Sequence, residues 1–256
     1  MDYTLKLFCE LDKYAEQAYC AIHDTEETLN IGDITKADEK MVADFNTMFG
    51  GSPCQDFSVA GKLNGAVWTC ENCGHTYNPL EAHYDNRDIC PVCNSTEIEK
   101  TRSSLLVEWL RFLREKRPRF AIYENVKNIT GKKFKETFDL FLKELDEYGY
   151  NVYWKVLNAK DFNIPQNRER VYCVIIRKDL DNGKFKFPEK MPLERTLNNI
   201  LEDSVDEKFY LNNEQVERLF KTTYCSGKYE NRVGDKDGII GTICARDYKD
   251  PKCVEL

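Results

Sequence analysis

Apolar residues follow two patterns along the chain, one with the period of a helix and one typical of short buried strands. Apolar positions three and four residues apart predict a helix that Ser103 caps and that ends near Arg114, and a second helix over 134–148 that Gly149 ends. A third helix is predicted over 13–23. Short apolar runs predict strands at Leu5–Cys9, Thr47–Gly50, Phe120–Tyr123, Val152–Leu157 and Val171–Ile176.

Strands that alternate with helices predict an α/β fold with a mostly parallel sheet covered on both faces. Ligands of such sheets bind beyond the carboxyl ends of the strands. We therefore expect the loops after Phe49 and after Tyr123 to lie at the same edge of the sheet. Two stretches break the alternation: residues 68–98 are rich in Cys, Asn, His and Tyr, and residues from 179 onward show weak periodicity.

Charged residues are distributed unevenly, although the net charge of −7 argues against a simple attraction of the whole chain to a polyanion. Residues 1–44 carry 4 Lys/Arg and 11 Asp/Glu, whereas residues 100–133 carry 10 Lys/Arg and 3 Asp/Glu. The basic segment is either a surface that meets phosphates or an ordinary solvated helix face. Charge alone does not separate these two interpretations.

The chain contains 11 cysteines, and the cellular setting decides how they are interpreted. No apolar run reaches the length needed to span a membrane, and the acidic N-terminus lacks the basic-then-apolar form of a signal peptide. We therefore predict a cytoplasmic protein with no membrane partner. In that reducing setting, cysteines are more often metal ligands or catalytic thiols than disulfides.

Two Cys-x-x-Cys pairs, separated by 16 residues, predict a structural zinc site with four thiolate ligands: Cys70, Cys73, Cys90 and Cys93. Gly74 and Asn94 follow the pairs, where tight turns around a metal need small or turn-prone residues. So short a module needs the metal's binding energy to fold. The alternatives are a disulfide hairpin, unrelated thiols, or ligands from His75 or His83.

Three short motifs carry groups that can do chemistry. Cys54 lies in Gly-Gly-Ser-Pro-Cys-Gln, where the glycines let the chain turn and present the thiol. Glu124 follows an apolar strand, and a carboxyl buried enough to stay protonated can donate a proton there. Arg168 and Arg170 point to one side of an extended segment and can hold a phosphate, a carboxylate or a substrate oxygen. Taken alone, each has an alternative: an inert thiol, a local hydrogen bond, or surface salt bridges.

In this order and spacing, Pro-Cys-Gln, Glu-Asn-Val and Gln-x-Arg-x-Arg resemble the motifs of the cytosine-C5 DNA methyltransferase family, over residues 1 to about 178. Residues 56–62 and Lys127-Asn128 fit as well. The resemblance implies a Rossmann-like, S-adenosylmethionine-dependent methyltransferase core over 1–178, interrupted by the zinc ribbon at 68–98. Residues 179–256, including 241–247, would then begin a target-recognition region.

The resemblance also implies a mechanism on double-stranded DNA, in which the target cytosine is flipped out of the helix. The thiolate of Cys54 adds to C6 of the base, Glu124 supports the ring N3, and Arg168 and Arg170 hold the flipped base and adjoining backbone. C5 then takes a methyl group from S-adenosylmethionine. Further substrate contacts are assigned to Gln55, Ser58, Asn125 and Gln166.

For the cofactor, the resemblance assigns Glu10 to the ribose hydroxyls and Asp33 to the adenine ring, with Pro53 as a further contact. The residues alone favour a surface carboxylate for Glu10 and a turn or capping residue for Asp33.

The sequence departs from the family pattern at both ends. It has no glycine-rich first motif and no closing motifs, so the predicted core is incomplete. Three functions are compatible with it. The first is an active DNA (cytosine-5-)-methyltransferase of a restriction-modification or phage system, alone or completed by separate chains. The second is a truncated or split remnant without turnover, and the third is a zinc-ribbon nucleic-acid-binding protein. We also expect the ribbon to extend the surface that faces DNA.

Overall fold

The structure is a computed structural model that describes residues 4–53, 66–101, 105–221, 233–243 and 252–254. Its helices are α1 (Lys13–His23), α2 (Leu105–Lys116), α3 (Lys135–Glu147) and α4 (Asn213–Lys221). Its strands are β1 (Thr47–Gly50), β2 (Trp68–Cys70), β3 (Thr76–Tyr77), β4 (Ile98–Lys100), β5 (Phe120–Val126), β6 (Tyr150–Asn158), β7 (Gln166–Asn167), β8 (Glu169–Arg177), β9 (Val233–Gly234), β10 (Ile240–Gly241) and β11 (Cys253–Val254). None of the helices in this part of the chain has the length and apolar character needed to cross a membrane.

The chain forms two compact units. The first contains Met1–Lys155 and Val171–Phe185, and the second contains Val156–Arg170 and Lys186–Leu256. This division differs from the predicted boundary after residue 178, because residues 156–170 fold with the C-terminal part of the chain. Gln166 lies opposite Ile240 in the parallel pair of β7 with β10.

The main sheet has the strand order β1-β5-β8-β6. Strand β1 runs parallel to β5, with Gly50 opposite Tyr123. The amide of Arg177 donates to the carbonyl of Arg119, so β8 ends where β5 begins and the two are antiparallel. A short connection from β6 to β8 also permits only an antiparallel pair. The sheet is therefore mixed: β1, β5 and β6 share one direction and β8 opposes them.

The helices predicted around the sheet are confirmed. Helix α1 has the predicted bounds, and α3 lies within the predicted 134–148, with Gly149 following at φ 85°. Helix α2 ends two residues beyond the predicted Arg114, while its predicted cap Ser103 lies outside the described residues. The apolar face of α2 is buried in the core through Leu106, Leu110 and Leu113, which are fully covered. Each such side chain contributes roughly 1.5–3 kcal/mol by leaving water.

One predicted strand is wrong. Residues 5–9 form only a single parallel bridge, between Phe8 and Asn30. The ladder stops there because the side chain of Asn30 takes the place of a second strand residue: its amide accepts from the N–H of Glu10 and donates to the carbonyl of Glu10. The other predicted strands are confirmed: β1 has the predicted bounds, and β5, β6 and β8 are longer than predicted. Strand β5 continues to Val126, so Glu124 and Asn125 lie within the strand.

The cysteine-rich segment forms its own antiparallel sheet, with the order β3-β2-β4. Trp68 lies opposite Tyr77 on one side and Lys100 on the other. The fully buried Trp68 and the buried Tyr77 form the small apolar centre of this module, with their rings 6.1 Å apart. The sheet extends two residues beyond the predicted insert at 68–98, to Lys100 at the end of β4.

Candidate active site and metal centre

The turn that leads to Cys54 lies directly beside Glu124. The parallel register of β1 and β5 places Gly51 next to Glu124 at the carboxyl edge of both strands. A Cβ atom on Gly51 would overlap the carbonyl oxygen of Glu124 and would lie 3.5 Å from its Oε2 atom, so only glycine permits this approach. The prediction that these two loops share an edge is confirmed. Cys54 itself, with the predicted substrate contacts Gln55 and Ser58, lies outside the described residues.

A buried hydrogen-bond network lies under this turn. The hydroxyls of Ser52 and Tyr123 are 2.7 Å apart, and the side-chain amide of Asn125 donates to the Tyr123 hydroxyl at 2.9 Å. The same amide lies 3.2 Å from the carbonyl oxygen of Ser52. Asn125 is only 1% exposed, and its role as a substrate contact stays a prediction. Its amide holds the turn before Cys54 from below.

The predicted cofactor residues each use one carboxylate oxygen locally. Oε1 of Glu10 accepts from the N–H groups of Leu11 and Asp12, at 2.8 and 2.9 Å. Oδ1 of Asp33 accepts from the hydroxyl and N–H of Thr35, and these hydrogen bonds lower the pKa of Asp33. Asp33 is thus a turn residue, as the residues alone suggested. Oδ2 of Asp33 lies 3.7 Å from Nζ of Lys36.

Asn30 joins these two predicted cofactor residues, and sequence reasoning missed it. Its Oδ1 accepts from the N–H groups of Glu10 and Gly32, at 3.0 and 2.9 Å. Its Nδ2 donates to the carbonyl of Glu10 at 2.9 Å and to Glu16 at 2.7 Å. Four hydrogen bonds on one side chain therefore tie Glu10 to the turn that carries Asp33. A single Asn two residues before Gly32-Asp33 gives no sequence signal for such a role.

Arg111 of α2 binds the residues that follow Asp33. Its guanidinium donates to the carbonyls of Ile34 and Ala37, at 2.7 and 3.0 Å, and pairs with Glu39 and Glu108. The fixed fork of donors in arginine suits several acceptors at once. The segment after Asp33 is therefore fastened to α2.

This clamp changes the interpretation of the uneven charge. The acidic region 1–44 and the basic region 100–133 meet in the fold, through Arg111 with Glu39 and through Lys116 with Asp44 at 3.2 Å. Part of the basic surplus therefore neutralises the chain's own carboxylates and is not available to phosphates.

The predicted residues of the Gln-x-Arg-x-Arg motif lie together in the second unit. The backbone N–H of Arg168 donates to Oδ1 of Asn158, and its Nη1 lies 3.3 Å from the carbonyl of Ile243. Nη1 of Arg170 donates to the carbonyl of Glu169 at 2.8 Å. Gln166 lies in β7.

Near its centre, the insert brings four cysteine sulfurs together. The Sγ atoms of Cys70, Cys73, Cys90 and Cys93 all lie within 4.8 Å of one another, and the closest pairs are 3.5 and 3.6 Å apart. Sulfurs at the corners of a zinc tetrahedron are separated by about 3.8 Å, given a Zn–S distance near 2.3 Å. The geometry therefore fits a single divalent metal ion.

The two cysteine turns repeat the same backbone pattern. In the first turn, the N–H of Gly74 donates to the carbonyl of Cys70; in the second, the N–H of Asn94 donates to Cys90. Gly74 and Asn94 both adopt positive φ, at 73° and 57°. This confirms the prediction that turn-prone residues follow each pair, because a left-handed residue is needed to close each loop.

Neighbouring groups shift the pKa values of two of these thiols in opposite directions. Burial raises the pKa of Cys90, but the N–H groups of Cys93 and Val92 outweigh it and lower that pKa to about 6. The N–H of His75 lowers the pKa of Cys73, but the nearby sulfurs and burial outweigh it and raise that pKa to about 12. Sulfurs this close repel one another when ionised.

A buried ion pair fastens the insert to the core. Arg87 and Glu144 of α3 are 4% and 7% exposed, and Nη2 of Arg87 pairs with Oε2 of Glu144. Nε of Arg87 also donates to the carbonyl of Pro79 at 2.8 Å, and the hydroxyl of Tyr148 donates to Glu144. The apolar pattern of α3 gave no sign of Glu144, because its partner comes from the insert.

Arg87→Met is expected to lower the free energy of unfolding by roughly 3–5 kcal/mol, since it leaves Glu144 as an unpaired buried charge. Chemical denaturation measures this. The matched control is Lys135→Met, which breaks an exposed pair with Asp139 on the same helix and should cost less than about 0.5 kcal/mol. Equal effects of the two variants would contradict a buried anchor.

The surface of the insert is acidic. Arg87 is the only Lys or Arg within 68–98, and it pairs with Glu144; Lys100, at the end of β4, pairs with Asp88. The remaining charged residues, all exposed, are carboxylates: Glu71, Glu81, Asp85, Asp88 and Glu97. Phosphates would be repelled by such a surface. This charge distribution opposes the predicted role of the ribbon as an extension of the DNA-facing surface.

Comparison with known families gives one match over most of the chain. The model of the family described as C-5 cytosine-specific DNA methylase matches residues 2–72 and 92–242. The unmatched stretch between these ranges falls within the insert.

Several sequence relatives are methyltransferases. The orphan methyltransferase M.SPBetaI of Bacillus phage SPbeta is 37% identical over 248 residues, covering 86% of this chain and 56% of the relative. The type II methyltransferase M2.ScrFI of Lactococcus lactis subsp. cremoris is 42% identical over 187 residues, covering 73% of this chain and 43% of the relative. The chain thus spans about half the length of these curated relatives.

Solved structures share the fold. A DNMT2 variant from Spodoptera frugiperda superposes with a TM-score of 0.63 at 18% identity, covering 99% of this chain and 66% of that one. The methyltransferase EhMeth of Entamoeba histolytica gives a TM-score of 0.59 at 15% identity, covering 96% and 64%. These likenesses support the Rossmann-like methyltransferase fold predicted from the sequence.

Proposed function

Because the chain belongs to the C-5 cytosine-specific DNA methylase family, we propose that it methylates C5 of cytosine in double-stranded DNA. The observation that supports this proposal is the contact between the turn before Cys54 and Glu124, because the motif resemblance assigns the nucleophile to Cys54 and the acid to Glu124. The names of its relatives suggest a phage or restriction-modification setting.

Cys54 is proposed as the nucleophile. Its thiolate adds to C6 of a flipped cytosine, so a carbon–sulfur bond forms and the C5–C6 double bond opens. Glu124 donates a hydrogen bond or proton to N3, which keeps negative charge from building up on the ring. C5 then becomes nucleophilic and takes a methyl group. Loss of the C5 proton restores the double bond and expels the thiolate.

S-adenosylmethionine, when bound, supplies the methyl group. The carboxylates of Glu10 and Asp33 suit its adenosine part, because a carboxylate oxygen can accept from a ribose hydroxyl or the adenine amino group. Glu10 commits Oε1 to its own turn, and Asp33 commits Oδ1 to its turn while Oδ2 lies 3.7 Å from the exposed ammonium of Lys36. Pro53, next to the nucleophile, is proposed as a further contact. Asn30 and Arg111 hold in place the segment that carries Asp33.

Arg168 and Arg170 are proposed to hold the flipped cytosine and the adjoining DNA backbone, with Gln166, Gln55 and Ser58 as further DNA contacts. Guanidinium groups pair with phosphate and base oxygens in a bidentate way. This proposal rests on the motif resemblance and on the packing of 166–168 against 240–243, which belong to the proposed target-recognition region at 179–256.

The four clustered cysteines are proposed to bind one structural Zn²⁺. Two observations support it: the mutual distances of the sulfurs, and the matching backbone turns that close around each pair. A closed four-thiolate site leaves no position for substrate, so the metal stabilises the insert and takes no part in methyl transfer.

Methyl transfer can be tested with the chain as it stands. We expect label from S-adenosyl-methionine with a tritiated methyl group to enter double-stranded DNA and to be recovered, after digestion to nucleosides, as 5-methylcytosine. Label in an exocyclic amino group would contradict the proposed chemistry. DNA binding without label would favour a binding protein that does not turn over.

Glu124→Gln is expected to slow methyl transfer by about 10²- to 10⁴-fold, because glutamine can still form a hydrogen bond to N3 but cannot protonate it. The measurement is the initial rate at saturating DNA. The control is Glu115→Gln, the same change at an exposed position of α2, and it should leave the rate unchanged. A full rate in Glu124→Gln would remove Glu124 from the mechanism.

A further inference from the structure

We propose that the hydroxyl of Tyr123, acting with Ser52, is a positioning element for the nucleophile: it fixes the turn from which Cys54 is presented. The inference rests on the proposed function of Cys54 and adds a residue that does not touch the substrate. Its basis is the buried network that joins the end of β5 to the end of β1.

Burial makes this network costly unless every member is bonded. Tyr123 is 0% exposed, Asn125 1% and Ser52 8%. The ring of Tyr123 lies 5.2 Å from that of Trp109 and 4.9 Å from that of Phe141. A hydroxyl among such rings needs a partner. Its partners are Ser52 and Asn125, at 2.7 and 2.9 Å.

The network controls both the side chain and the backbone of Ser52. Tyr123 bonds the Ser52 hydroxyl, and the amide of Asn125 reaches both that hydroxyl and the Ser52 carbonyl, each at 3.2 Å. Ser52 lies two residues before Cys54, with Pro53 between them. Burial raises the pKa of Tyr123 to about 12, so the hydroxyl keeps its proton.

The neighbouring residue Gly51 leaves the turn little room to adjust. Its Cα packs against the backbone of Glu124, as the overlap of an added Cβ shows. Glu124 therefore packs against one side of the turn at Gly51, and Tyr123 and Asn125 hold the next residue, Ser52, from below. Freeing Ser52 would shift the thiol relative to the base, and a misplacement of about 1 Å can cost on the order of 10²-fold in rate.

Tyr150 offers a matched control for a merely structural effect. It is 1% exposed, and its hydroxyl donates to the carbonyl of Pro118 at 2.8 Å. Tyr150→Phe and Tyr123→Phe therefore each remove one buried hydroxyl from the same core. Both should lower the melting temperature similarly, because each leaves a buried partner unsatisfied. Of these two tyrosines, only Tyr123 contacts the turn before Cys54.

The test compares the rate of covalent adduct formation with DNA containing 5-fluorocytosine, at saturating DNA and S-adenosylmethionine. We expect Tyr123→Phe and Ser52→Ala to slow the adduct about 10- to 100-fold, with unchanged affinity for DNA, and Tyr150→Phe to keep the rate. The double variant should be no slower than the single ones, because both remove one interaction. Equal rates in Tyr123→Phe and Tyr150→Phe would overturn the inference.

A second measurement separates this inference from the proposed function. Alkylation of Cys54 by iodoacetamide, located by mass spectrometry, reports the setting of the thiol without DNA or cofactor. We expect Tyr123→Phe to change this rate and its pH profile, and Tyr150→Phe to leave both unchanged. If the unaltered chain forms no adduct, the proposed function fails; if alkylation is also the same in both variants, the positioning role fails as well.

Discussion

Cys54→Ser is expected to abolish the covalent adduct with DNA containing 5-fluorocytosine, while noncovalent affinity for that DNA stays close to that of the unaltered chain. Fluorine at C5 cannot leave as a proton does, so the reaction stops after methyl transfer with the base bonded to the enzyme. A serine hydroxyl is a far weaker nucleophile than a thiolate at neutral pH. The adduct is measured as a band that survives denaturing electrophoresis.

The control for this experiment is Cys20→Ser, which changes a free thiol on α1. It should form the adduct at the normal rate. An adduct that persists in Cys54→Ser would assign the nucleophile to another residue. Loss of DNA affinity together with the adduct would indicate that the substitution disturbs folding, which thermal unfolding of the same sample measures directly.

Loss of the metal is expected to have the second large effect. Cys90→Ser, or treatment of the chain with a strong chelator, should reduce bound zinc from one ion per chain to near zero and unfold the insert. The damage should spread to the core, because Arg87 then no longer pairs with Glu144 of α3. We therefore expect the melting temperature of the whole chain to fall at least as far as in Arg87→Met.

Metal analysis and thermal unfolding measure the two parts of this prediction. The control is Cys253→Ser, since Cys253 lies outside the four-cysteine cluster and should leave the zinc content at one ion per chain. Full zinc content in Cys90→Ser would reject the four-thiolate site. Loss of zinc with an unchanged melting temperature would show instead that the insert is energetically independent of the core.

The elements around the site could be predicted from local pattern. Helix α3 and strands β1, β6 and β8 occupy the predicted positions, because a helical or extended backbone repeats its side-chain directions every few residues. The cluster of four cysteines could also be predicted from the sequence, since two Cys-x-x-Cys turns each close within five residues. The order of the motifs was sufficient to place the chain in its family.

Other features depended on pairs of residues far apart in the chain. Ser52 and Tyr123 are 71 positions apart, and Arg87 and Glu144 are 57 apart. No local period indicates such partners, so the roles of Tyr123 and Glu144 were overlooked. The strand predicted at 5–9 failed for a related reason: whether a short apolar run pairs over several residues depends on its neighbour, and here Asn30 ends the ladder.

The sequence by itself determined the family of this protein and the groups that its proposed chemistry needs: a thiol, an acid, two arginines and a cluster of four cysteines, each in a local setting that its neighbours dictate. Tertiary structure decided how these groups are held. It pairs part of the basic segment with the acidic one and places Asn125 under the turn before Cys54. It also joins the acidic insert to α3 through a buried ion pair. The physical reason is that buried polar groups must find partners, and only the packing of distant segments supplies them.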